Sequence, residues 1–114
     1  MIVVIAGSRD IEVTDEQIKE AIEKSGFEVT EIVSGGARGA DSCGERYAKA
    51  NGIPVKIFKA EWDKYKGLAG PKRNLQMAMY SDALILFWDG RSKGSGNMKA
   101  RMVGFKKPIY EVIL

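Results

Sequence analysis

Short apolar, β-branched runs alternate with amphipathic stretches along this chain, and a glycine-bearing turn closes most of them. That alternation constrains the fold more tightly than any other feature. Residues 2–6 are an unbroken apolar run stopping at Gly7, as expected of a strand buried on both faces. A helix is expected over residues 15–25. Thr14 caps it, Gln17 completes a capping box, Ile18, Ala21 and Ile22 share one face, and Gly26 ends it. Residues 27–33 read as a second strand, 39–51 as a second helix with Ala48 inward and Gly52 as its stop, and 54–58 as a third strand. The polar and aromatic stretch 59–70, with Trp62, Asp63 and Tyr65, reads as an irregular loop. Pro71 suits the first turn of a helix reaching Tyr80. Residues 83–88 form a fourth strand broken by Asp89-Gly90, residues 96–106 a last helix, and residues 108–113 a final strand.

The expected fold is therefore α/β: a Rossmann-like, doubly wound, parallel five-stranded sheet in the order 3-2-1-4-5, with helices on both faces. With 114 residues, 45% of them hydrophobic, a single domain over 1–114 buries a sufficient core without disulfide or metal staples. One cysteine, Cys43, and no histidine rule out a Cys/His zinc site, a Ser-His-Asp or Cys-His nucleophile and a histidine pH switch. Cys43 reads as a buried small apolar residue, and Met77 and Met79 as packing. The net charge of +3 suits an anionic ligand and is modest for coating a nucleic acid. No apolar run is long enough to span a membrane, and the chain opens on its first strand without a basic leader, so a cytoplasmic location with no membrane partner is expected.

Ligands of doubly wound sheets bind beyond the carboxyl ends of the strands, at the switch between the first and fourth. Three unusual loops fall at that edge. Ser34-Gly35-Gly36-Ala37-Arg38-Gly39-Ala40-Asp41 joins a strand to a helix, with glycines for close approach and unpaired N–H groups at the helix start. This is a phosphate-binding loop by chemistry, although neither the dinucleotide fingerprint nor the P-loop spacing is present. Gly7-Ser8-Arg9 adds a hydroxyl and a guanidinium. The stretch 89–97 is rich in donors, glycines and flexibility, including Gly90, Gly94 and Ser95. Arg73 and Asn74 open the third long helix, where an arginine opposes the macrodipole, so a ligand-facing role is expected. Trp62 and Trp88 are core or interface residues by default, while Trp62, in a polar loop, is placed to cover a nucleobase.

Those segments, together with Glu61-Trp62-Asp63-Lys64-Tyr65, Gly70-Pro71-Lys72-Arg73-Asn74 and Phe87-Trp88-Asp89-Gly90, resemble the SLOG superfamily, and within it the YspA-like, YpsA-related branch, a domain of unknown function. The resemblance covers almost the whole chain and implies a SLOG domain that binds nucleotide-derived ligands. The Ser-Gly-x-Ala-Arg-Gly-x-Asp run and the Arg73-Asn74 pair also look like those of the DNA-processing protein A family, which binds single-stranded DNA. That likeness implies Ser8, Arg9, Gly35, Gly36 and Arg73 near a phosphate-bearing ligand. The cytokinin-activating phosphoribohydrolases, which cleave the N-glycosidic bond of nucleoside monophosphates, share the first loop and a helix arginine resembling Arg73. Their catalytic glutamate, however, corresponds to Met98 here.

The leading expectation is a nucleotide sensor or nucleotide-processing domain that takes a phosphorylated nucleotide or nucleotide-derived ligand, without a cofactor or metal. Backbone N–H groups from Gly36 to Gly39 would hold phosphate with Ser8 and Arg9. Asp41 would bond a ribose hydroxyl or cap its own helix, Arg73 would clamp the far side, and Asn74 would orient ribose or base. The alternatives are an N-glycosidase on a nucleoside monophosphate, with Asp41 or Glu45 as the carboxylate, and a single-stranded nucleic-acid module. Whether the protein is an enzyme is left open, with binding favoured over turnover. A homo-oligomer is compatible with the methionine-rich and aromatic helix surfaces.

Overall fold

The structure is a computed structural model that describes residues 1–114. Five strands form one parallel sheet in the order β3-β2-β1-β4-β5, with β1 at Ile2–Gly7, β2 at Glu31–Ser34, β3 at Val55–Ile57, β4 at Ala83–Trp88 and β5 at Ile109–Ile113. The helices are α1 (Asp15–Ser25), α2 (Ala40–Ala50), α3 (Trp62–Tyr65), α4 (Ala69–Tyr80) and α5 (Lys93–Gly104), with a 3-10 turn at Lys66–Leu68 before α4. This is the expected α/β order.

Strand alternation sorts the core into two layers. Val3, Ile5, Ile32, Ala83, Ile85 and Phe87 point to one face, where Ile18 and Ala21 of α1 and Cys43, Tyr47 and Ala48 of α2 cover them. Val4, Ala6, Val33, Leu84 and Leu86 point to the other, under Met77 and Ala78 of α4 and Met98 and Met102 of α5. β1 and β4 are apolar on both faces because both faces are covered. β3, a three-residue edge, is exposed along its length.

The cap of α1 forms as the sequence dictates. Thr14 Oγ1 accepts from Gln17 N at 3.1 Å, Gln17 Oε1 accepts from Thr14 N at 2.8 Å, and Gly26 closes the helix at φ 75°. Other boundaries move for identifiable reasons. β2 begins at Glu31 rather than residue 27, because its partner β1 begins at Ile2, which registers with Glu31. Phe27 and Val29 pack on the core without joining the ladder.

Residues 59–70 are not wholly irregular. They hold α3, the 3-10 turn and the start of α4, so Arg73 opens the second turn of that helix instead of the first. α5 starts at Lys93 rather than residue 96. Asp89 Oδ1 accepts from Arg91 N at 2.8 Å and Ser92 N at 2.9 Å, turning the chain straight into the helix despite Gly94 and Gly96. No helix is long and apolar enough to cross a membrane. Cys43 and Met77 are buried as expected, while Met79 is exposed.

Candidate functional site

β1, β2 and β4 end side by side, with Gly7 in register with Phe87, so the chain must leave all three strands within a few ångströms. Close approach there depends on missing side chains. A Cβ at Gly7 would lie 2.1 Å from the Phe87 carbonyl oxygen, and one at Gly39, where φ is 78°, would lie 2.5 Å from that of Arg9. The first and second loops therefore pack directly against each other. Between them, α4 and the start of α5 lies a hollow of about 300 Å³.

The hollow gathers Gly7, Ser8, Arg9, Ala37, Asp41, Arg73, Asn74, Gly94 and Ser95 from the expected set, and adds Asp10, Ser92 and the apolar Met77 and Met98. Gly35, Gly36 and Arg38 border an adjoining hollow of about 550 Å³ that shares Arg9, Ala37 and Arg73. Ser34, Gly39, Gly90 and Glu45 border neither. Ser34 is fully buried, donates to Glu45 Oε2 at 2.6 Å and accepts from Gly36 N at 3.1 Å. Gly39 is spent on loop packing, and Gly90 forms the φ 81° turn after β4.

Asp41 changes the chemistry of the second loop. Its Oδ2 accepts from Gly35 N at 3.1 Å and Ala37 N at 3.5 Å, and Gly36 N is taken by Ser34. The carboxylate and a buried hydroxyl thus occupy N–H groups near the expected phosphate position, and Gly36 and Ala37 do not present theirs to the hollow. Asp41 is only 5% exposed, and burial pushes its pKa up to about 6, against the opposing pull of Arg73 and the two N–H groups. Glu45's charge pushes in the same direction as burial.

Arg73 faces Asp41 across Gly35. A Cβ there would lie 2.8 Å from Asp41 Oδ2 and 2.9 Å from Arg73 Nη1, so glycine keeps the gap open. Arg73 Nη1 donates to the Gly35 carbonyl at 2.6 Å and Nε to Asn74 Oδ1 at 3.1 Å, which fixes the guanidinium plane and leaves Nη2 without a protein acceptor. Burial lowers its pKa, Asp41 raises it, and the charge of Arg9 lowers it again. Neither arginine forms an ion pair. Two guanidiniums close enough to repel, both facing a hollow, are complementary to an anion.

Asn74 is buried and fully used. It accepts from Arg73 and donates to the Gly94 carbonyl at 3.1 Å and Asn97 Oδ1 at 3.0 Å, tying α4 to the first turn of α5. It positions Arg73 and α5 and has no amide hydrogen to spare for a ribose. On the third side, Ser8 is 3% exposed, and its Oγ accepts from Ser92 Oγ at 2.9 Å and from Asp89 N at 3.4 Å. Asp89, whose pKa is lowered chiefly by the Arg91 N–H, and Trp88 Nε1, which donates to the Ser92 carbonyl at 3.2 Å, hold residues 89–92 in place. The loop expected to be flexible is tied down.

Sequence reasoning missed Ser92 as a ligand-facing group, although its donor-rich stretch was recognised, and it missed Lys59, which follows β3 at the same sheet edge. The rule that strand ends carry the site would have found Lys59. Met98 borders the hollow with 1% exposure.

Comparison with known proteins gives three matches. The model of the YspA, cpYpsA-related SLOG family matches residues 1–65. The gene 61 protein of Mycobacterium phage D29 is 36% identical over 70 residues, 56% of this chain and 56% of that protein. The X-ray structure of DNA processing protein A from Streptococcus pneumoniae matches with a TM-score of 0.75 at 20% identity, covering 96% of this chain and 49% of that one. The last match shows a shared fold. The chain spans about half the length of both proteins.

Proposed function

This chain belongs to the YspA, cpYpsA-related SLOG family, and from that membership and the geometry of the hollow we propose that it binds a phosphorylated nucleotide or nucleotide-derived ligand. The observation that carries this reading is the convergence of Arg9 and Arg73, without carboxylate ion-pair partners, on a hollow that also holds the Ser8 and Ser92 hydroxyls. Phosphate sits between the two guanidiniums in this reading. Asp41 lies behind it, as the group that must be protonated or screened when the anion arrives. The amino-terminal end of α2 adds a favourable dipole.

The test is titration with AMP, followed by calorimetry, of the native protein and Arg9→Ala. Arg9 is exposed and makes no side-chain hydrogen bond, so its loss leaves the fold alone. One charge-assisted contact is worth about 1.5–3 kcal/mol, so the Kd should rise about tenfold or more while Tm stays unchanged. Equal binding by both proteins, or no binding by the native chain, removes the assignment.

A turnover reading rests on a separate observation. Of the two carboxylates considered for N-glycoside cleavage, Asp41 borders the hollow with its pKa pushed up to about 6, while Glu45 accepts a hydrogen bond from Ser34 outside it. A carboxyl at about pH 6 is suited to proton transfer. Chromatography of the AMP mixture for free adenine decides between binding and cleavage, with Asp41→Asn as the control. The fold shared with DNA processing protein A makes a single-stranded oligonucleotide the third ligand to titrate, with a steep salt dependence as its signature.

A further inference from the structure

Trp62 is the one tryptophan the fold does not use. Trp88 donates its indole N–H to Ser92 and lies under Lys99. Tyr65 is covered by Lys64 and Lys72, and Phe58 and Tyr80 pair with each other beneath Lys56. Trp62, at the start of α3, has no aromatic or cation partner and no acceptor for its N–H, and it stays 51% exposed. Leaving so large an apolar surface in water forgoes stabilisation that packing would supply.

Its surroundings are specific. The hollow of about 550 Å³ and another of about 430 Å³ both border Arg9, Trp62 and Arg73. A Cβ at Gly70 would lie 3.7 Å from Trp62 Cη2 and 3.9 Å from Arg73 Nη2, so the indole edge and the guanidinium frame one gap that glycine leaves unfilled. Around the larger hollow stand Arg9 and Lys59, both without ion-pair partners, and Arg38, held by Asp10 at 3.3 Å. This is more positive charge than one phosphate neutralises.

We propose that Trp62 is the platform for the nucleobase and that the ligand is a nucleoside diphosphate, with one phosphoryl group between Arg9 and Arg73 and the other at Lys59. This rests on the reading of the hollow as a phosphate site, and it adds what lies beyond the phosphate. An indole face binds any base by stacking, and the Arg73 guanidinium beside it meets the adjoining phosphoryl group.

The experiment titrates the full chain with ADP, AMP and ribose 5-phosphate, following calorimetry and tryptophan emission. ADP should bind about tenfold more tightly than AMP and quench the emission, whereas ribose 5-phosphate should bind more weakly than either and leave the emission unchanged. Trp62→Ala should bring ADP affinity down about tenfold, leave ribose 5-phosphate binding and Tm unchanged, and abolish the quench. Trp62→Phe should restore most of the affinity without the signal, and Lys59→Ala should erase the preference for ADP over AMP.

Quenching that survives in Trp62→Ala, or ADP binding unchanged by it, overturns the proposal. Ribose 5-phosphate binding as tightly as ADP removes the platform and leaves the phosphate site standing. Failure of all three ligands removes both. An oligothymidylate that quenches Trp62 where ADP does not replaces the diphosphate with a strand.

Discussion

On the inner side of the hollow, the loop after β2 spends its polar groups on itself, and Ser8 of the loop after β1 spends its hydroxyl on residues 89–92. On the outer side, residues 59–68 leave most of theirs to water. Gly35 N and Ala37 N are held by Asp41, Gly36 N by Ser34, and Ser42 Oγ donates to the Ala37 carbonyl at 3.0 Å. Ser8, Ser34 and Asp41 are buried. Across the gap, Lys59, Trp62, Lys66 and Leu68 are exposed, and neither α3 nor the 3-10 turn has a side-chain cap. A wall already satisfied internally sets where a ligand can sit but has few bonds left to give it. A wall of unpartnered groups supplies attraction without rigidity. Apart from Arg9, whose guanidinium is free although it stands in the first loop, position and affinity are thus assigned to different parts of the chain, and substitutions should separate them.

The largest effect belongs to the inner side. Gly7→Ala drives a Cβ to 2.1 Å from the Phe87 carbonyl oxygen and 2.7 Å from Ala40 Cβ, both set by backbone that cannot rotate away. The β1–β4 ladder or the start of α2 must move, at a cost of about 3 kcal/mol or more. Urea denaturation reads this directly. A loss below 1 kcal/mol would show that the two loops are looser than their hydrogen bonds imply.

Next comes the pH dependence of Asp41. Its folded pKa of about 6 lies above the ordinary carboxylate value, so the folded chain holds this proton more tightly than the unfolded one. The resulting stability is fully present below about pH 4 and is lost as the pH rises through about 6, on the order of 3 kcal/mol in all. An anion bound nearby raises the pKa further. Binding of a phosphate ester should therefore take up a proton on Asp41 most strongly just above pH 6, where the free carboxyl is largely ionised and the liganded one is not. Asp41→Asn keeps an oxygen acceptor for the loop N–H groups and should flatten the stability curve and abolish the proton uptake. A native chain whose stability stays level between about pH 4 and pH 7, or that takes up no proton on binding a phosphate ester just above pH 6, would contradict the burial of this carboxyl.

The same contrast explains what the sequence revealed. The strand order followed from apolar runs and right-handed crossovers, and the capping box of α1 was legible because Thr14, Gln17 and Gly26 each have a local physical role. Arg9 and Arg73 were legible because a cation at a strand end or near a helix start has no obvious local partner. Asp41's grip on Gly35 and Ala37 was not, since composition shows an acidic residue in a glycine-rich loop without showing that it competes for the anion's donors. The partners of Ser34 and Asn74 were hidden for a related reason: Ser34 is buried against Glu45, and Asn74 borders the hollow with its amide spent on Gly94 and Asn97, contacts that only tertiary structure places. The start of α5 was hidden because Gly94 and Gly96 carry loop propensity, which Asp89 and the packing of Gly96 against Trp88 override.

The smallest effect tests the outer side. Gly67 lies in the 3-10 turn with φ outside the left-handed region, and a Cβ there would meet nothing within 4 Å. Alanine fits without strain and removes freedom from the unfolded chain, so Gly67→Ala should stabilise by about 0.4–1 kcal/mol, a rise in Tm of a few degrees. Gly67 also borders the hollow of about 430 Å³ beside Trp62. If that wall binds as it stands, a stiffer turn should leave ADP affinity unchanged or slightly higher. Affinity falling while stability rises would mean that residues 62–68 rearrange around the ligand, and the static contrast between the two sides would then describe only the unbound chain. A destabilised Gly67→Ala would break the comparison at its base, because it would require a constraint on the outer side that its open geometry does not contain.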